Sequence, residues 1–227
     1  MRTDIVHLDD LPPGATADAV VVIDVCRAFT VAPWCYGVGA ASVLLASCVA
    51  DALAARAYGV VLVKDGVPDP RFDLPNAPGL IARTELSGRR VVQLTGNGTR
   101  GVHAVTAPHV LCASFVTAGA TARVLAGLGA ASVLFVPTEG DEDLALAEYL
   151  VAVLGGASDA AGYLQRAAHS AAADELRARG PDPAYPGVDP DDLTRCLELD
   201  RFDFALEAVP DGATRRLVRR RRRPSGR

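Results

Sequence analysis

Residues 19–30 read AVVVIDVCRAFT. The run Val20 to Ile23 is β-branched with no polar alternation. Such a run is a strand buried on both faces of a sheet, as in α/β proteins whose sheets are covered by helices. Asp24 follows this strand directly and Arg27 comes three places later. The C-terminal end of a strand is where open α/β sheets bind ligands. A carboxylate there can hold a divalent cation, and a guanidinium can grip an oxyanion through its planar fork of donors. The segment therefore points to an α/β fold with a phosphate-handling metal site at one sheet edge.

Working outward, strand-like and helix-like segments alternate. Strands are expected over 5–8, 41–46, 60–64, 90–94, 109–114, 132–137 and 204–209. Helices are expected over 31–37, 48–58, 99–105, 117–128, 141–154, 159–179 and 191–199. Strands separated by helices of this length imply βαβ units, hence a three-layer α/β/α architecture with a largely parallel or mixed central sheet. Residues 65–79, DGVPDPRFDLPNAPG, interrupt the alternation with four prolines and two glycines. A loop this long inside a compact domain is functional or disordered. Residues 1–212 read as a single domain, with the segment after 190 returning to pack on it.

Residues 213–227, ATRRLVRRRRRPSGR, hold eight arginines and no acid. They read as a solvated, disordered tail lying on a body that carries 15 basic and 27 acidic residues. A nucleic-acid-binding tail is the rival, and the acidic body argues against it. No apolar run approaches the roughly 20 residues of a membrane span. The start, MRTDIVHLDDLPPG, lacks the apolar stretch of a signal peptide. The expectation is a cytoplasmic protein with no membrane partner. Its five cysteines are scattered and form no CxxC pair, and most of them read as buried small side chains. The four histidines show no metal-ligand spacing.

Further polar clusters sit at other strand ends. Residues 94–100, LTGNGTR, follow a strand and open a helix. Asn97, Gly98 and Thr99 could present backbone N–H groups to a phosphate with Arg100 adding charge, or form an ordinary tight turn. Ser114 could donate to a substrate oxygen or cap the next helix. Residues 138–143, TEGDED, could bind a cation through Glu142 and Asp143, or complement a helix dipole. Arg71, Asp73 and Asn76 in the Pro-rich loop suit an active-site wall or a surface loop. There is no P-loop, no GxSxG elbow and no DxDx[TV] motif, so covalent catalysis is poorly supported.

In order along the chain, these motifs resemble the 2-phosphosulfolactate phosphatase family. The segment Asp24 to Ala28 is similar to its Asp-Val-x-Arg-Ala, and Phe72 to Pro78 to its Phe-Asp-x-x-Asn-[Ser/Ala]-Pro loop. Thr95 to Arg100 resembles its Thr-x-Asn-Gly-Thr-Arg turn, and Ala113 to Phe115 its [Gly/Ala]-Ser-Phe. Glu142-Asp143, Asp159 to Ala161 and Cys196 to Asp203 match its later segments. The likeness is collinear over about residues 3–210. The chain also departs from it. Val63-Lys64-Asp65-Gly66 stands where members carry Gly-Glu-Arg, Pro75 replaces a Gly, and Gly96 replaces a Thr.

The resemblance implies an Mg²⁺-dependent hydrolase of a small phosphorylated, sulfonated metabolite in coenzyme M synthesis, and a homodimer. Mg²⁺ also suits hard oxygen ligands and the lack of His or Cys clusters. Asp24 is the expected metal ligand, with Glu142 or Asp143 second. Arg27 and Arg100 would neutralise the phosphate, and Asp73 and Asn76 would close the site or orient water. Arg71 would meet a second oxyanion on the substrate. Two alternatives stay open: a same-fold phosphatase with another substrate in secondary metabolism, and a non-catalytic protein that binds a phosphometabolite.

Overall fold

A computed structural model describes residues 1–221 of the chain. Its elements run β1 (Arg2–Ile5), β2 (Ala19–Ile23), α1 (Ala28–Gly37), β3 (Ser42–Leu45), α2 (Val49–Ala55), β4 (Val61–Lys64), β5 (Leu74–Pro75) and α3 (Pro78–Ile81). They continue with β6 (Arg90–Leu94), α4 (Gly98–Ala104), β7 (His109–Ala113), α5 (Ala118–Gly127), β8 (Ser132–Pro137), α6 (Gly140–Leu154) and α7 (Ala161–Ala168). α8 (Ala171–Arg179), α9 (Asp192–Cys196), β9 (Ala205–Asp211) and β10 (Thr214–Arg220) close the chain. No helix among the described residues is long and apolar enough to cross a membrane.

One ten-stranded sheet has the order β1-β8-β2-β7-β9-β10-β3-β6-β4-β5. Two parallel groups, β1-β8-β2-β7 and β3-β6-β4-β5, are joined by the antiparallel pair β9-β10. Pairing alone points the two groups in opposite directions. In a flat sheet their C-terminal ends would lie on opposite edges. They meet instead, because the sheet curls. A Cβ on Gly101 in α4, after β6, would come within 2.7 Å of Val22 Cγ1 on β2.

The alternate faces of each strand explain the three layers. Val20 and Val22 of β2, Val43 and Leu45 of β3, and Val91 of β6 share one core with α1, α4 and Ile81 of α3, inside the curl. On the outer face, Val21 and Ile23 pack under α5, α6 and α7, while Leu44 and Val92 pack under α2. The fold is thus α/β with a mixed sheet between helical layers. α1 is apolar all round and buried from Ala28 to Tyr36, as a helix between two half-sheets must be.

Four expectations need adjustment. The first strand is Arg2–Ile5, ahead of 5–8. α1 begins at Ala28 because Asp24 accepts the Ala28 N–H at 2.7 Å and its carbonyl takes the Phe29 N–H. The helical region 159–179 breaks at His169, where Ser170 caps α8 by accepting from the Ala173 N–H. The largest correction concerns the tail. Thr214–Arg220 is not a solvated arm but β10, inside the sheet between β9 and β3. Three of its four arginines, and Arg221 just beyond it, are answered locally. Arg216 pairs with Asp211, Arg220 with Glu207 and Arg221 with Asp203, and Arg219 lies over the Tyr36 ring at 4.9 Å. Residues 222–227 lie outside the described residues.

Candidate active site

The site begins with the end of β2. Asp24 is buried, and one carboxylate oxygen caps the first turn of α1 through Ala28. The other faces α4: a Cβ on Gly98 would lie 2.7 Å from it and 2.6 Å from the Ala28 methyl. Gly98 is therefore glycine so that α4 can reach Asp24 and α1, and not solely to admit a ligand. Burial, with the Asp65 and Glu142 carboxylates adding to it, pushes the Asp24 carboxyl up to about 7.

Glu142 and Asp143 open α6, after β8, and both are buried. Their roles separate. Asp143 is committed on both oxygens: Val25 N–H donates at 2.7 Å to one, and Thr138 N–H, Thr138 Oγ1 and Glu139 N–H donate at 3.0–3.1 Å to the other. It ties the β2 end to the β8 end. Glu142 folds back over Gly140, and its Oε2 is buried with no hydrogen-bond partner. Burial raises the Glu142 carboxyl, and Glu139 and Asp141 add to the rise. Burial raises Asp143 too, with Asp24 and Glu142 adding.

The β6–α4 turn completes this edge. Thr95 and Thr99 lock it reciprocally: Thr95 Oγ1 accepts the Thr99 N–H at 3.0 Å, and Thr99 Oγ1 accepts the Thr95 N–H at 3.1 Å. Gly96 N–H donates to Asp65 at 2.8 Å. The Thr99 N–H is thus already spent, which narrows the expected phosphate cradle. Asn97 donates its amide to Glu139, across to the α6 start. Arg100 turns away to Asp9 at 3.0 Å.

Arg27 is nearly buried, and its Nη1 donates to Asp192 at 2.5 Å and to the Gly187 carbonyl at 2.9 Å. Asp192 also accepts from Gly79 and Asp189 N–H. A single acid on α9 thus holds α3, the 187–189 segment and the Arg27 head in one arrangement. Only Nη1 is engaged in these bonds, so the fork keeps donors for an oxyanion.

The remaining candidates divide. Asn76 is buried and accepts from Gln93 Nε2 at 2.8 Å, which also donates to the Ala28 carbonyl, so it braces the loop against α1. Asp73 is not brought to the Asp24 edge. It bonds Leu62 N–H at 2.8 Å and Arg56 at 3.2 Å, pinning β5 to β4. Arg71 closes on Asp69, whose carboxyl it holds at about 2. Ser114 is fully buried and donates to the Phe29 carbonyl at 2.6 Å. Pro33, four residues on, has no N–H for that carbonyl, so Ser114 repairs α1 rather than facing a substrate. Residue reading alone missed Thr95, Gln93 and Asp192. The Thr95-to-Thr99 spacing was the one local signal among them.

The donor set fits a hard cation. Among the described residues no three acids, histidines or cysteines gather as a closed cluster. Mg²⁺ needs none: it keeps several waters and takes one or two carboxylates plus substrate phosphate oxygens. Asp24 and the orphaned Glu142 oxygen suit that, and Asp143 orients from behind. The cysteines offer nothing softer. Cys35, Cys112 and Cys196 are buried, and burial pushes Cys35 up to about 12.

The model of the family described as 2-phosphosulpholactate phosphatase matches residues 5–181. A Bacillus subtilis protein named "Probable 2-phosphosulfolactate phosphatase" is 31% identical over 209 residues, 87% of this chain and 90% of its own. Proteins of the same name from Thermus thermophilus and Deinococcus radiodurans are each 37% identical, over 66% and 65% of this chain and 68% of their own lengths. Since the family model covers well over half of the chain and a relative 31% identical is matched over most of both lengths, the chain belongs to the 2-phosphosulpholactate phosphatase family.

Proposed function

We propose that the protein hydrolyses the phosphate monoester of a small acidic metabolite, 2-phosphosulfolactate or a close relative, with Mg²⁺ held by Asp24 and Glu142. The observation that carries this reading is the pair of buried carboxylates, Asp24 and Glu142 with its orphaned oxygen, close enough to act on each other at the C-terminal sheet edge, with Arg27 three residues past Asp24. Family membership supports the ester class. When bound, the cation would polarise the ester and an attacking water. The protein's own groups do the rest. Arg27, pre-aimed by Asp192, neutralises the phosphate as charge spreads over its oxygens. Gly98 keeps Asp24 within reach of the phosphate turn. Asp143 keeps β2 and β8 in register at that edge. The ester P–O bond breaks, the water oxygen joins phosphorus, and the alcohol leaves with a proton.

Phosphate release from 2-phosphosulfolactate, assayed with Mg²⁺ and with EDTA, tests the proposal. The expected result is turnover that EDTA abolishes and that Asp24→Asn lowers by at least about 100-fold, the scale of losing a charge-stabilising group. Equal turnover in EDTA would remove the metal from the reading, and an active Asp24→Asn would remove the site. Binding of a phosphorylated metabolite without turnover would favour the non-catalytic alternative. A cytoplasmic setting, a place in coenzyme M synthesis and a homodimer belong to the same reading, and sedimentation would test the last.

A further inference from the structure

A small cavity of about 130 Å³ lies between the Pro-rich loop after β4 and the segment before α9, its walls including Lys64, Phe72, Leu74, Pro75, Pro186 and Gly187. We propose that this cavity is a subsite for the non-phosphate end of the substrate. Lys64 there binds a second anionic group, a carboxylate or a sulfonate. The inference rests on the phosphatase reading and names the substrate class.

The cavity borders the site on two sides. Gly187 lines it, and the carbonyl of the same residue takes the Arg27 Nη1–H at 2.9 Å. Lys64 lines it, and the next residue, Asp65, accepts from Gly96 N–H in the β6–α4 turn. A small ester with its phosphate at Arg27 thus has its far end beside the cavity.

The charge there is available. Lys64 is the one lysine of the chain. Its Nζ donates to the neutral carbonyls of Asp65, at 2.6 Å, and Val67, at 3.3 Å, and among the described residues it forms no ion pair. An ammonium has three donors, so one remains. The two acids on the cavity wall are otherwise engaged, Asp69 by Arg71 and Asp73 by Arg56. Phe72, Leu74 and Pro75 give the cavity a half-buried apolar wall beside the ammonium. Arg71, the residue expected from the sequence to meet a second oxyanion, is bound to Asp69, and Lys64 takes that place.

The test compares two esters, 2-phospholactate, which carries a carboxylate, and phenyl phosphate, which does not. In Lys64→Met the preference for 2-phospholactate, as the ratio of the two kcat/KM values, is expected to fall about 10–100-fold, the worth of one charged hydrogen bond. Lys64→Arg is expected to restore most of it. An unchanged ratio in Lys64→Met would overturn the proposal, because a purely structural lysine lowers both esters together. If the wild type hydrolyses neither these two esters nor 2-phosphosulfolactate, the phosphatase reading fails. Calorimetric titration with 2-phospholactate then decides the subsite: weaker binding by Lys64→Met upholds it, and equal binding overturns it.

Discussion

Asp24 and Arg27 stand three residues apart, yet each is set by a residue far along the chain. Gly98 makes room for Asp24, and Asp192, 165 positions from Arg27, fixes the guanidinium. Breaking a buried ion pair leaves an uncompensated charge, so Asp192→Ala is expected to cost about 3–5 kcal/mol in urea unfolding. Asp192→Asn keeps an acceptor for Gly79 and Asp189 and is expected to cost less. Its mark should be a KM for the phosphate ester raised about tenfold, the scale of a misaligned phosphate contact, with kcat little changed. A wild-type KM in Asp192→Asn would show that Arg27 needs no aiming. The strand-end acid and guanidinium were legible in the sequence because one buried strand carries both. Asp192 was not, because nothing within its own helix hints at a partner on β2's far end. Arg100 misled for the opposite reason: its place in a phosphate-like turn was visible, while its partner Asp9 was not.

At the scale of elements, α1 carries a proline in its interior and still packs as a helix. Ser114→Ala is expected to destabilise by about 1–3 kcal/mol, the cost of orphaning the buried Phe29 carbonyl. Pro33→Ala restores an N–H at the position four residues on. In that background Ser114→Ala should cost less, and a double-mutant cycle by urea unfolding would read the coupling. A cycle with no coupling would mean that Ser114 does not repair the helix. The start of β2 shows a second such tie. Asp18 accepts from the N–H groups of Ala131 and Ser132 and from Ser132 Oγ, and these bonds lower its carboxyl below the usual range. A carboxyl lowered on folding stabilises the fold above its unfolded value and loses that contribution as pH falls through the folded one. The unfolding midpoint of Asp18→Asn should therefore lie below wild type at pH 6, and the gap should close near pH 2. A gap that persists at low pH would assign the effect to something other than charge. Helix and strand types were legible from periodicity, whereas boundaries moved wherever a side chain, such as Asp24 or Ser170, capped a turn.

Across the whole molecule, the α/β alternation of 19–137 was enough to read a helix-covered sheet, because each strand and helix there carries its own pattern. What joins the two half-sheets was not readable. β10 reads TRRLVRR, and arginine runs suggest solvent. In the fold the chain turns at Gly212, with φ +61, in a two-residue hairpin loop of the kind that suits strand twist. Leu217 is then buried in the core inside the curl, while the heads of Arg216, Arg219 and Arg220 find acids and rings. β10 is also the sole strand between β9 and β3, so the curl that brings Asp24 to the β6–α4 turn depends on it. A chain ending at residue 212 would leave the facing edges of β9 and β3 unpaired and the core open at Leu217. Such edges expose rows of backbone donors and acceptors and invite aggregation. The expected outcome is loss of the cooperative thermal transition, and Leu217→Asp in the full chain should lower its midpoint sharply by placing a charge in the core. If the shortened chain melts at the wild-type temperature, the segment is the dispensable tail that its composition suggested, and the two half-sheets hold together without it.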